Sequence, residues 1–518
     1  MSVSTAMIPT TRDRLNWLWL VIGGALIPFA HVHWVIPVAA WLMPICLLRF
    51  MRTQRARVGV PALIIVYGLG VALAMSNGYL DPPPSIEFAL LFYSGYGLVL
   101  ALPYVADRLI ASRLTGWLRT LVFPLAVTTL DWLMSFSPFP TFGSLAYSQY
   151  GLLPLVQVVS LTGIWGLTFL IAWGASAINV AWTGDFQRRV VRSQLVPFLA
   201  VFVAVMLFGS LRLVLAETPA DTLRVAGLVP ARSLWRYLPV ADIARAGEAD
   251  RAALQGELTR NLDDLFARTA QEARAGAQIV VWAETAAFIL KENEAAVIDR
   301  ARASAREAHI YLQLGLMTID RTQHHPFSEN RLVMIDPAGD VQWDYHKAFP
   351  VPIGDAAEIS PGPKVVPTVE TPLGRLAAVI CFDADTPSYI RQAGLAQADV
   401  LLVPADDWFA NRFDHAQMAT FRAVENGVSL VRPTGKGISI AVDHLGRVLA
   451  FADFFASAST TLIASVPAQG QPTLYVRIGD SFAYLCAAGL FASVVMVWLR
   501  RSATQSVSTG KRQLSTTP

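Results

Sequence analysis

Three polar residues close apolar runs in the second half of the chain: Glu284 after "IVVWA", Lys347 after "VQWDYH" and Cys381 after "RLAAVI". Strand ends are where an α/β domain presents its reactive groups. A thiol, a carboxylate and an ammonium within reach of one another make an acyl-transfer set. Cys381 would attack a carbonyl, Glu284 would take and return its proton, and Lys347 would stabilise the oxyanion of the tetrahedral intermediate. Each residue also has a plainer use. A cysteine after a strand often serves as a small buried hydrophobe, a glutamate there is often solvated or caps a helix, and a lysine in "DYHKAF" can snorkel at a surface. Spacing alone identifies no family.

The surroundings of the thiol sharpen the question. Cys381 is the only one of the 3 cysteines outside a long apolar run, since Cys46 lies in "MPICLL" and Cys486 in "AYLCAAGL". Three scattered cysteines form no disulfide framework, and no Cys/His metal spacing is present. His324 and His325 fall in an expected loop without further ligands at metal spacing, so no metal and no other cofactor is expected. A net charge of +3 without a basic, aromatic-interleaved patch gives no reason to expect nucleic acid.

Elements able to position the three residues emerge from composition. The chain is 54% hydrophobic and 15% charged, with mean hydropathy +0.45. An ordinary soluble domain has roughly 25% charge. The average hides two regimes: residues 1–216 are almost continuously apolar from 15 onward, 217–479 read as a water-soluble domain, and 480–499 are apolar again. Spans of about 20 residues are expected near 15–30, 33–48, 58–76, 88–106, 120–136, 155–181, 194–216 and 480–499. The first reads as a span rather than a signal peptide, because further apolar segments follow and no small-residue cleavage site is evident. Residues 500–518 read as a polar, disordered tail.

Arginine-rich segments alternate with segments free of Lys and Arg. "RFMRTQRAR", "DRLIASRLTGWLR" and "GDFQRRVVR" lie on one side, and "HVH", "SNGYLDPPPSIE" and "SFSPFPTFGSLAYSQYG" on the other. The positive-inside bias puts both termini in the cytoplasm and the domain 217–479 on the far side of the membrane. Pro- and aromatic-rich loops on that far side either shape an entrance for lipid or form an interfacial aromatic belt. His31 and His33 are expected at the interface. Asp131, in or at the end of the fifth span, is costly there and is either functional or structural.

Within 217–479, β-rich runs such as "LRVAGLVP", "AQIVVWAE" and "ADVLLVPADDWF" alternate with Ala/Arg/Glu helices over about 243–274 and 291–308. "HAQMATFRAVENG" reads as a helix closed by Gly427, with Arg422 and Glu425 as a pair on its face. Strand–helix alternation mixed with hairpins implies two layered sheets with helices outside.

"VVWAET", "YHKAFPVPIGD" and "VICFDADTP" resemble, in order and separation, the Glu–Lys–Cys signatures of the nitrilase (carbon–nitrogen hydrolase) superfamily. "FPTFGSLAYSQY", "LVQVVSLTGIWGLTFL", "PADDWF" and "HAQMATFRAVENGVSLVRPTGKG" extend the likeness to nearly the whole chain. Taken with the membrane segments, the sequence is similar to the apolipoprotein N-acyltransferase family. The resemblance implies a helical membrane domain joined to an αββα nitrilase-like domain, in the inner membrane of a bacterium, as a monomer. It implies Glu284, Lys347 and Cys381 as catalytic residues, Asp355, Phe382 and Asp383 as supporting residues, and Trp235 near the acyl-chain entrance.

The implied reaction is ping-pong: acyl transfer from a phospholipid to the cysteine, then to the α-amine of a diacylated apolipoprotein, without a cofactor. The family's usual motifs are altered to "WAE", "PIGD", "CFD" and "RPTGKG". Shortening Glu to Asp at positions 355 and 383 withdraws a carboxylate by on the order of 1 Å, a large step for a positioned group. Two other readings therefore stay open: a membrane-anchored amidase or acyltransferase with another amine acceptor, and a non-catalytic lipid- or lipoprotein-binding relative.

Overall fold

In a computed structural model, which describes residues 15–31, 34–75, 85–217, 221–231, 248–323, 326–352, 357–456 and 461–514, the apolar runs before residue 217 fold as helices. These are α1 Asn16–Ala30, α2 Pro37–Thr53, α3 Ala56–Ala74, α4 Ile86–Ile110, α5 Leu118–Met134, α6 Ile164–Thr183 and α7 Val196–Val214. Local chemistry sets their starts: Pro37 opens α2, and the Ser85 hydroxyl accepts the Phe88 N–H at the start of α4. Among the described residues, 5 helices are long and apolar enough to cross a membrane: Ala56–Ala74, Ile86–Arg113, Ile164–Thr183, Arg188–Val214 and Ser481–Arg500. The expected run 155–181 is broken at Gly163 (φ +64°), where a Cβ would come within 2.6 Å of the Tyr475 ring.

The water-soluble region builds two stacked sheets. The 7-stranded sheet runs β15-β1-β2-β4-β5-β6, with β3 paired to β4. Its strands are β1 Thr222–Leu228, β2 Ile279–Trp282, β3 Ala287–Leu290, β4 Tyr311–Ile319, β5 Ser328–Ile335, β6 Val341–His346 and β15 Thr461–Pro467. The 6-stranded sheet runs β14-β13-β11-β9-β8-β7. It comprises β7 Thr368–Thr371, β8 Gly374–Ala378, β9 Val400–Leu402, β11 Ser429–Arg432, β13 Ile438–Val442 and β14 Val448–Asp453. A small pair, β10 Ala405–Asp406 and β12 Thr434–Gly435, sits beside them.

One core joins the sheets: Val225, Ile279 and Met334 from the first pack with Leu376, Leu402 and Leu430 from the second. Helices α8 Glu248–Arg274 and α9 Glu294–Ala308 cover the outer face of the first sheet through Leu265, Phe266, Val297 and Ala301. Helices α10 Pro387–Leu395 and α11 Arg412–Asn426 cover the second. The layering is the α–β–β–α arrangement expected from the sequence.

Helix α11 joins the two halves of the protein. Ala416, Ala419 and Ala423 face the sheet core, while Met418, Phe421 and Val424 pack into the core of the membrane helices. Small residues on one face let the sheet approach. Burying each large residue on the other contributes about 1.5–3 kcal/mol.

Two expectations change here. Helix α12, Ser481–Leu514, runs on past residue 499, where a disordered tail was expected. Extending an existing helix needs no new nucleus, and the described tail contains no proline. His31 is buried rather than interfacial, and its Nδ1 pairs with the Gly143 carbonyl at 2.7 Å. Asp131 accepts hydrogen bonds from Ser144 (2.7 Å) and Thr168 (2.8 Å), which ties the 136–144 segment to α5 and α6. His33, His324, His325, Asp355 and Trp235 lie outside the described residues.

Candidate functional site

The site forms where the two sheets meet. Glu284 lies two residues past β2, Lys347 follows β6 of the same sheet, and Cys381 lies three residues past β8 of the other. All three are buried, at 3%, 2% and 5% exposure. Glu284 is fixed at both oxygens: Oε1 accepts from Lys347 Nζ at 2.8 Å and Asn330 Nδ2 at 2.7 Å, and Oε2 accepts the Asp406 backbone N–H at 2.7 Å. The last bond links the first sheet to β10. Gly315 on β4 makes room for this end of β2, since a Cβ there would fall 1.9 Å from the Ala283 carbonyl oxygen. Asn330 also accepts the Lys347 backbone N–H on its carbonyl at 2.9 Å, so one residue of β5 holds the Glu284 carboxylate and the Lys347 backbone.

Cys381 adopts φ +43° on a tight 3-10 turn, Cys381–Asp385. A non-glycine residue held there is strained and persists only where its surroundings over-determine it. They do: the Cys381 N–H donates to the Pro404 carbonyl at 3.0 Å, and Asp383 locks the turn. Asp383 Oδ2 accepts from the Ile380 N–H (3.0 Å) and the Tyr345 hydroxyl (2.6 Å), while Oδ1 accepts from the Phe349 N–H (2.8 Å). One carboxylate thus ties the cysteine turn to the segment carrying Lys347. Burial pushes Asp383 up to about 6. Phe382 is buried beside it.

A second group of charges backs the thiol. Asp407 Oδ1 lies 3.9 Å from Cys381 Sγ. Arg432 holds Asp407 bidentately at 2.9 and 2.9 Å, and His415 Nδ1 pairs with Oδ1 at 2.9 Å. Asp385 Oδ2 stands 3.6 Å from His415 Nε2. Burial works against the charge of Asp407, yet Arg432 and His415 bring it down to about 2. Burial likewise opposes charge on His415, but Asp385 and Asp407 raise its pKa. Burial pushes the Cys381 thiol up, Glu284 and Asp407 add to that, and Lys347 and Arg432 oppose it. The sequence reading missed Asn330, Asp407, His415 and Arg432. Only the doubled acid in "PADDWF", directly after a strand, hinted at them.

This network continues into the membrane region. The Thr141 hydroxyl donates to the Asp385 carbonyl at 2.9 Å and pairs with the Tyr147 hydroxyl at 2.6 Å. Arg422 Nη2 donates to Tyr147 at 3.1 Å and pairs with Glu425 at 3.0 Å. Chemically, the site offers a strained, neutral thiol, a fixed carboxylate with a cation on it, and a wall shared with membrane helices.

Comparison with known proteins agrees with this division. The carbon–nitrogen hydrolase profile matches residues 248–473, which gives the class of the sheet domain. A second profile, the apolipoprotein N-acyltransferase N-terminal domain, matches residues 23–177. The apolipoprotein N-acyltransferase of Geobacter metallireducens is 26% identical over 408 residues, covering 73% of this chain and 74% of that protein. That of Bradyrhizobium diazoefficiens is 26% identical over 448 residues, covering 80% and 79%. The crystal structure of an amidase from Nesterenkonia sp. aligns with 52% of this chain and 97% of its own at TM-score 0.40 and 20% identity. The chain belongs to the apolipoprotein N-acyltransferase family, and it is a membrane protein.

Proposed function

We propose that this protein transfers a fatty acyl chain from a membrane phospholipid to the α-amine of a diacylated apolipoprotein, through a thioester on Cys381. Glu284 takes the thiol proton as sulfur attacks the ester carbonyl. The oxyanion develops beside Lys347. Collapse expels the lysophospholipid alkoxide, which takes the proton back from Glu284. In the second half-reaction the acceptor amine attacks the thioester, Glu284 accepts its proton, and the proton returns to sulfur as the thiol leaves. General acid–base catalysis of this kind contributes about 10²–10⁴-fold. Likeness to apolipoprotein N-acyltransferases supports the bacterial inner membrane as the setting, and the arginine-rich loops favour residues 217–479 on its extracytoplasmic side. We assign residues 1–216 as the membrane domain, 217–479 as the catalytic domain and 480–499 as a final span, in a protein acting as a monomer.

The observation that carries the reading is the seam. Asp385, on the same turn as Cys381, accepts a hydrogen bond from Thr141 in the membrane region. Both substrates carry lipid chains, and lifting them into water would cost about 0.8 kcal/mol per methylene. A thiol held against the membrane domain avoids that cost.

The test is transfer. Protein reconstituted with phospholipid is given a diacylated lipopeptide with a free α-amine, and the peptide is weighed by mass spectrometry. One added acyl group on the amine, lost in Cys381→Ser, is expected. Release of fatty acid to water alone, or acylation only of other amines, would overturn the assigned acceptor.

A further inference from the structure

Cys381 Sγ, an Asp407 oxygen and a His415 ring nitrogen lie within 4.8 Å of one another, a spacing that invites a metal reading. The donors argue against it. Arg432 occupies both oxygens of Asp407, and His415 Nδ1 is already paired with Oδ1. A divalent cation would have to displace a buried guanidinium.

The same geometry has a different consequence for the thiol. Glu284 approaches from the first sheet with Lys347 on its Oε1, and Asp406 nearby pairs with Lys436 at 2.8 Å. Behind the sulfur stands Asp407, and behind Asp407 the Arg432 guanidinium and the His415 ring, with Asp385 beyond. We propose that Asp407 is a positioning residue for the nucleophile: it draws the thiol hydrogen away from Glu284 in the resting enzyme and screens the sulfur from the Arg432 guanidinium. This rests on reading Cys381 as the nucleophile.

A neutral resting thiol resists stray electrophiles, since the thiolate is the reactive form. Deprotonation is then coupled to arrival of the acyl donor, which turns the sulfur toward Glu284. Asp407 is held ionised by its two partners, so this control persists across the physiological range. Without Asp407, the Arg432 guanidinium would face the sulfur uncompensated and would stabilise a thiolate. Such a thiolate attacks esters less well, because nucleophilicity falls with pKa.

The test is the pH profile of Cys381 alkylation by iodoacetamide in the full-length protein in detergent, quantified by peptide mass so that Cys46 and Cys486 are counted separately. Asp407→Asn should lower the profile's midpoint by about one to three pH units, the shift expected for removing a charge at this range. Arg432→Gln, which removes a permanent cation and leaves the carboxylate, should raise it. Opposite shifts are not produced by a merely structural role. Midpoints that stay at the wild-type value, or move together, overturn the proposal. If Asp407→Asn does not fold, Arg432→Gln decides alone, and an unchanged or lowered midpoint overturns it. Opposite shifts in a protein that never forms an acyl adduct would place the failure on the nucleophile assignment instead.

Discussion

Glu425, on a helix of the sheet domain, caps a helix of the membrane domain: its Oε1 accepts the backbone N–H of Ile164 at 2.9 Å, at the first turn of α6. A carboxylate suits that position because helix N-termini carry unsatisfied N–H groups and partial positive charge. Glu425 pairs with Arg422 at 3.0 Å, and both are buried. Removing one partner of a buried pair costs about 3–5 kcal/mol, whereas replacing both can be nearly neutral. Glu425→Ala should therefore lower the melting temperature in detergent sharply, and Arg422→Met added to it should recover part of the loss. Strict additivity of the two would show that the pair is not coupled.

Asp383 predicts an effect on rate with little effect on membrane insertion. Asparagine can replace one acceptor oxygen but presents an NH₂ to an N–H at the other. Asp383→Asn should relax the cysteine turn and slow thioester formation by about 10²-fold, the scale of a 1 Å misplacement. Tyr345→Phe, which removes only one donor to the same carboxylate, should be milder. Single-turnover acylation of Cys381 measures both.

Gly315 supports Glu284 through space rather than through a bond. In Gly315→Ala the new methyl would overlap the Ala283 carbonyl, pushing the end of β2 and with it Glu284. Acylation should fall by about 10²-fold or more while the protein still inserts and packs its membrane helices. Wild-type rates in this variant would mean that the strands yield without moving the carboxylate.

His415 gives a pH-dependent contribution to stability. Its folded-state pKa is raised above 6.5, so its pairing with Asp407 and Asp385 contributes fully below the unfolded value and is lost as pH rises through the folded one. The gap in melting temperature between wild type and His415→Gln should be widest below pH 6.5 and close on the alkaline side. A gap that widens with pH would reverse the sign.

Much of this was legible in the residues. Apolar runs announced the helices, alternation announced the two sheets, and Glu284 and Lys347 at strand ends meet in one ion pair. What stayed hidden depends on pairing between distant strands. Asn330 looks like a routine polar residue in "SENRLVMI" until β5 places it beside both Glu284 and Lys347. Asp407 and Arg432, on separate strand ends, had no visible relation. Arg422 and Glu425 read as a pair within one helix, but the link to Ile164 spans 261 positions, and no local pattern encodes it. His31 shows no acidic partner in the sequence, since its partner is the Gly143 backbone carbonyl, which sequence cannot display.

The most direct measurement of the central claim is the intact mass of purified protein incubated with phospholipid alone. The account predicts one acyl chain added, mapped to Cys381, present in the wild type and absent from Glu284→Gln and Cys381→Ser. A folded wild-type protein that gains no acyl mass on Cys381, or gains it equally in Glu284→Gln, would contradict it.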